Sequence, residues 1–145
     1  MKVIFLDIDG VLNTPKTIRR FGFDFIDDIL VALVVRICKE TSAKIVLSSS
    51  WRTEEKDLNL ARLALERHNL EIHDCTPVIK REWTEEGWVR RHEEISAWLE
   101  DKEVDRFAII DDLDDACIEG SFFQTDEERG LTVEIAEKII CHLKT

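Results

Sequence analysis

Three short polar clusters in this 145-residue chain are of types that do chemistry. Asp7, Asp9, Gly10 and Asn13 follow one apolar run, Ser48, Ser49, Ser50 and Arg52 follow a second, and Asp111, Asp112, Asp114 and Asp115 follow a third. Acids gathered on one rim repel, and each like-charged neighbour raises the cost of keeping the others ionised, so a positive partner belongs among them. Oxygen donors with no His or Cys ligand nearby favour a hard cation, and Mg2+ typically takes one or two carboxylates plus waters and a substrate phosphate oxygen. Serine hydroxyls and the backbone N–H groups of a helix start, here near Ser49 to Arg52, are what a phosphate needs on its other side. The implied ligand set is a metal plus a phosphoryl group.

The elements that must hold these clusters can be traced in the apolar pattern. Residues 2–6, 44–47 and 107–110 read as strands covered on both faces, each ending in one of the polar clusters. A weaker strand is expected within 71–79, confined to an edge or an end by Pro77, and a fifth at 121–124. Ile26, Ile29, Leu30, Leu33, Val34 and Ile37 recur at helical spacing, as do Leu58, Ala61, Leu65 and His68, and later Val133, Ala136, Ile140 and Leu143. Residues 88–99 form a further helix. Strands alternating with helices predict right-handed βαβ units and hence a three-layer, Rossmann-like α/β fold, with a parallel sheet of about five strands and helices on both faces. Ligands bind such a sheet beyond the carboxyl ends of its strands, where all three clusters fall. With no repeat and no linker, residues 1–145 read as a single domain.

The helix at 88–99 adds a cation. Stepping about 100° per residue from Trp88, Ile95, Trp98 and Leu99 share one arc; Arg91 falls inside it and Arg90 opposite. Arg91 therefore points toward the sheet, and a buried Arg needs an anionic partner, either a carboxylate or a phosphate.

Composition bounds the partners. Twenty Lys+Arg against 31 Asp+Glu give a net charge of −11, which repels a polyanion at long range. No apolar stretch approaches the roughly 20 residues that span a bilayer. The amino-terminal Met-Lys-Val-Ile-Phe-Leu-Asp lacks the apolar core of a secretory signal, so a cytoplasmic location is expected. Cys38, Cys75, Cys117 and Cys141 are scattered singly and read as ordinary thiols, and the four His residues show no ligand pairing.

In order, Asp7-Ile-Asp-Gly-Val-Leu-Asn13, Ser48-Ser-Ser-Trp-Arg52, Arg91 and Ile110-Asp-Asp-Leu113 resemble the four signature motifs of the haloacid dehalogenase (HAD) superfamily of phosphotransferases. Asp-x-Asp-Gly-Val-Leu at the end of a buried strand is the most specific part. The Ser-Ser-Ser-Trp-Arg run and Thr125…Gly130-Leu131-Thr132 resemble the small HAD domains of Swiss Army Knife RNA repair proteins. The resemblance implies that Asp7 is the nucleophile, forming an aspartyl phosphate, and that Asp9 protonates the leaving oxygen and then takes a proton from water. It also implies Mg2+ held by the Asp7 carboxylate, the Asp9 main-chain carbonyl and Asp112, with Asp111 in support. Ser49 best matches the residue that binds the transferring phosphoryl group, with Ser48 one position early. Arg91 would hold the intermediate's charge, where the superfamily more often has Lys. Ser48, Ser50, Arg52 and Asn13 are the expected substrate-facing residues, although Arg52 is equally suited to anchoring the acid cluster.

Asp111 to Asp115 offers four acids for one or two ligand sites, so Asp114 and Asp115 read as solvated. The gaps at 14–25 and 76–87, where superfamily cap domains are inserted, hold at most a flap, so the site should be open. Lys16, Arg19 and Arg20 form a basic cluster in the first gap, read as a solvated flap that would attract phosphate locally. Trp83 and Trp88 flank Gly87 in the second; Trp88 reads as core and Trp83 as solvent-facing, with stacking on a base as the alternative. The leading expectation is a Mg2+-dependent phosphomonoester hydrolase acting on a small phosphometabolite, nucleotide or nucleic-acid terminal phosphate, the last disfavoured by charge. The competing expectations are a phospho-receiver, whose acceptor would be Asp74, and a non-catalytic phosphate-binding module.

Overall fold

The computed structural model describes residues 1–80 and 89–145. Five strands form one parallel sheet: β1 (Lys2–Leu6), β2 (Lys44–Leu47), β3 (Ile72–Cys75), β4 (Arg106–Asp111) and β5 (Phe122–Gln124), in the order β3-β2-β1-β4-β5. The helices are α1 (Pro15–Phe21), α2 (Asp28–Thr41), α3 (Glu55–Glu66), α4 (Arg91–Leu99) and α5 (Val133–Lys144). The expected three-layer α/β fold is present. Among the described residues no helix is long and apolar enough to cross a membrane.

Strand alternation divides the core. Ile4, Leu6, Ile45, Leu47, Ala108 and Ile110 pack against α2, α3 and α5, while Val3, Phe5, Val46 and Ile109 face Ile95 and Trp98 of α4. Phe5 meets Trp98 edge-on with ring centroids 5.5 Å apart, a favoured aromatic geometry. Caps fix where the helices begin: Asp27 accepts from Ile29 N at 2.9 Å before α2, and Thr132 accepts from Ile135 N at 3.2 Å before α5.

Three expectations are corrected. Ile29 and Val133, assigned to buried stripes, are 77% and 55% exposed, because each lies in a first turn that overshoots the core. The polar segment after Asn13 contains α1, which buries no residue and so leaves no apolar stripe to read; Thr14 caps it and Pro15 opens it. The helix expected from residue 88 starts at Arg91, and Trp83 and Trp88 lie outside the described residues.

The chain runs outward from β1 to β3 and returns on the other side of β1 to β4. The switch in direction puts a crevice between the carboxyl ends of β1 and β4, the position at which such sheets bind ligands.

Candidate active site

Register places the polar clusters side by side. Leu6 pairs with Leu47 and with Ile110, so Ser48, Asp7 and Asp111 come next abreast on three adjacent strands. The ladder continues through them: Asp7 N donates to Ile110 O and Ser48 N to Leu6 O, each at 3.1 Å. Asp7, Ser48 and Asp111 keep the alternation of Phe5, Val46 and Ile109, whose side chains face α4.

Arg91, the first residue of α4, enters from that face. Its Nη1 lies 2.7 Å from Asp111 Oδ2 and 3.3 Å from Asp7 Oδ1, so its anionic partners are these two carboxylates rather than an acid of its own helix. Asp111 is fully buried, and its other oxygen accepts from Leu113 N at 3.0 Å. Burial first, then the charge of Asp111, push the Asp7 carboxyl well above its ordinary range, against the pull of Arg91. Burial and Asp111 raise Asp112 as well. Burial alone would lower Arg91, but Asp7 and Asp111 outweigh it and hold the guanidinium firmly charged.

One carboxylate oxygen from each of Asp7, Asp111 and Asp112 lies within 4.8 Å of the others. Three hard oxygen donors, two of them buried and one whose carboxyl is pushed upward mainly by burial, are a set that a divalent hard cation would complete. The donor set fits the expected Mg2+.

The turn after β1 brings Asp112 in. Gly10 has φ +77°, and a Cβ there would stand 2.5 Å from Asp112 Oδ2, so a side chain at residue 10 would displace Asp112. The Thr125 hydroxyl donates to Gly10 O at 2.8 Å, and Gln124 Nε2 donates to Asp112 O at 3.0 Å, so the last residue of β5 and the one after it clamp both loops. Asp9 is exposed but fixed from two sides: Asn13 Nδ2 donates to Oδ1 at 2.9 Å and Trp51 Nε1 to Oδ2 at 3.2 Å. Asn13 was expected to face substrate. It is fully buried, with its amide spent on Asp9, Gly10 N and Phe25 O, and so positions Asp9 instead.

The serines divide differently from expectation. Ser49 is fully buried, and its Oγ accepts from Trp51 N at 3.2 Å, capping the 3-10 turn Ser50–Thr53. Among the described residues, Ser48 Oγ is buried with no hydrogen-bond partner, as is Thr76 Oγ1 just past the end of the neighbouring strand. A buried hydroxyl left unpaired costs about 1–3 kcal/mol, so its place beside Asp7 calls for a ligand. Ser50 is exposed beside Asp9.

Arg52 was expected to be able to clamp a substrate phosphate, and the structure corrects this. Its Nε donates to Thr76 O, its Nη1 to Ser48 O and Ser49 O, and its Nη2 to Pro77 O, while Glu94 Oε1 lies 2.9 Å from Nη2. Five acceptors meet its five N–H groups, so none is left for substrate. Arg52 ties the loops after β2 and β3 to α4. Asp115 was expected to be solvated, but it is half-buried with one oxygen buried and unpartnered, whereas Asp114 is exposed. Lys16, Arg19 and Arg20 are exposed on α1.

The family model described as the HAD domain in Swiss Army Knife RNA repair proteins matches residues 3–136. The chain belongs to this family. The match takes in β1 from Val3, the whole of β2 to β5, the acid cluster, Arg91, and Gln124 and Thr125, which clamp Asp112 and Gly10. No curated protein and no solved structure matches the chain. Sequence reasoning missed Trp51 and Thr76 as parts of the site. Trp51 carried no signal beyond its place in the Ser-Ser-Ser-Trp-Arg run, and Thr76 had one in its position just after the expected edge strand.

Proposed function

We propose that this HAD domain hydrolyses phosphomonoesters through an aspartyl phosphate on Asp7. The observation that carries the reading is the convergence of Asp7, Asp111 and Asp112 oxygens within 4.8 Å, with Arg91 2.7 Å from Asp111 and 3.3 Å from Asp7. Asp7, Asp111 and Asp112 through their carboxylates, and Asp9 through its main-chain carbonyl, would hold Mg2+, whose charge lets an anionic carboxylate meet an anionic phosphoryl group.

The protein's own groups supply the rest. A carboxylate oxygen of Asp7 attacks phosphorus, the ester P–O bond breaks, and Asp9 gives its proton to the departing oxygen. Water then attacks the phosphorus of the acyl phosphate, Asp9 takes the water's proton, and phosphate leaves with the Asp7 carboxylate restored. Asn13 and Trp51 hold the Asp9 carboxyl in one orientation for both transfers. Arg91 stabilises charge on the phosphoryl oxygens. We assign the hydroxyl contact with the phosphoryl group, expected of Ser49, to Ser48, because Ser49 is occupied as a cap and Ser48 is not.

The family's description refers to RNA repair, which supports a nucleic-acid end as a second substrate class. The net charge of −11 works against capturing a polyanion, so small phosphomonoesters are the leading class. Sheet order argues against the phospho-receiver. A receiver's acceptor Asp lies on a strand next to its acid pair, whereas Asp74 is on β3, separated from β1 by β2, and its carboxylate accepts from Trp98 Nε1 at 2.7 Å.

A screen of sugar phosphates, mononucleotides and 5′- or 3′-phosphorylated oligonucleotides, with Mg2+ and with chelator, tests the proposal. Turnover is expected only with Mg2+, and none for Asp7→Asn or Asp9→Ala. Robust hydrolysis in chelator would overturn it.

A further inference from the structure

Beside Asp9 lies an open cavity of about 430 Å3, lined in part by Asp9, Phe23, Asp24, Ser50, Trp51 and Asp57. Three carboxylates border it, and no basic side chain is among its described lining residues. Phe23 is 85% exposed at this rim, an aromatic ring that no described residue covers.

We infer that this cavity receives the alcohol part of the ester and selects one carrying a positive charge, as in amino-alcohol or amino-sugar phosphates. The inference rests on the hydrolase reading, in which Asp9 protonates the departing oxygen and so has the alcohol part on its own side. The site is then polarised. Arg91 meets the phosphoryl end, and Asp24 and Asp57 meet the far end of the substrate. A cation there gains from both carboxylates and from the faces of Phe23 and Trp51, whereas a carboxylate or second phosphate meets only like charge. Ser50 offers a hydroxyl to a neutral polyol, which places uncharged alcohols between the two. Ile18 of α1 also lines the cavity, while the exposed Lys16, Arg19 and Arg20 of that helix are not among its described lining residues.

Three two-carbon esters differing in terminal charge make the test: 2-aminoethyl phosphate, 2-hydroxyethyl phosphate and carboxymethyl phosphate, each with the full chain in Mg2+. The expected kcat/KM falls in that order, with a spread from first to last of roughly tenfold or more at low salt that narrows as salt screens the carboxylates. In the Asp24→Asn, Asp57→Asn double variant the spread should collapse toward unity. Equal or reversed kcat/KM in the wild-type chain, or an unchanged spread in the double variant, would overturn the selection while leaving the hydrolase reading intact. Failure of all three esters and of 4-nitrophenyl phosphate would remove the hydrolase reading, and this inference with it.

Discussion

The Trp51 indole reaches across 42 residues of sequence to donate to Asp9 Oδ2 at 3.2 Å, making a buried ring the support of an exposed carboxylate. In Trp51→Phe the bulk largely stays and the donor goes. A hydrogen bond to a charged group is worth about 1.5–3 kcal/mol, so kcat should fall about tenfold to hundredfold while KM moves little. Steady-state kinetics on a single ester measure this, and an unchanged kcat would remove Trp51 from the mechanism.

Ser48 and Ser49 separate under alanine substitution. Ser48→Ala deletes a hydroxyl that has no partner among the described residues, so thermal stability should hold or rise while turnover drops at least about tenfold. Ser49→Ala removes a cap and should cost about 1 kcal/mol in denaturant unfolding, with the smaller loss of turnover. The opposite pattern would return the phosphoryl contact to Ser49.

Arg52→Ala should destabilise the protein far more than a surface arginine would. Its side chain is 4% exposed and Glu94's is 13%, so the substitution strands a nearly buried carboxylate and several carbonyls. Breaking such a pair costs about 3–5 kcal/mol. Arg52→Lys should recover little, because an ammonium cannot present a planar fork to five acceptors. Urea unfolding of the three proteins decides the matter.

Asp74 sets an acid-side dependence. The Trp98 N–H is the main cause holding its carboxyl below the ordinary value of 3.8, so its contribution favours the folded state above that pH and is lost as pH falls through the lowered folded value. Asp74→Asn should flatten this part of the stability profile, measured by urea midpoints between about pH 5 and pH 2. Parallel profiles for the two proteins would show that the Trp98 contact is not coupled to protonation.

Much of the fold could be read because burial leaves a period. The runs ending at Leu6, Leu47 and Ile110 are covered on both faces and stand out as continuous apolar segments, and Pro77 marked the edge strand that ends at Cys75. The acid cluster was legible for a related reason, since polar residues immediately after buried strands must share one rim. Helix α1 buries nothing, and so no stripe announced it, although Thr14-Pro15 is a start signal in itself. The partners of Arg52 and Asn13 were not legible because they are largely main-chain groups, which carry no sequence signature. The face that Ser48 takes was within reach. Val46 and Ser48 share a face of the strand, and Val46 lies beside Phe5 on the side that Arg91 enters.

The hydrogen bond from the Thr125 hydroxyl to Gly10 O, and that from Leu131 N to Val11 O, bear on the order of events during synthesis. Two of the contacts that hold the first turn come from residues more than a hundred positions later, and a ribosome-bound fragment ending before β4 carries Asp7 without Asp111 and Asp112. Under the proposed function, chemical competence would arrive late, and a chain ending before Asp111 would be inert rather than a loosely regulated scavenger of phosphate esters.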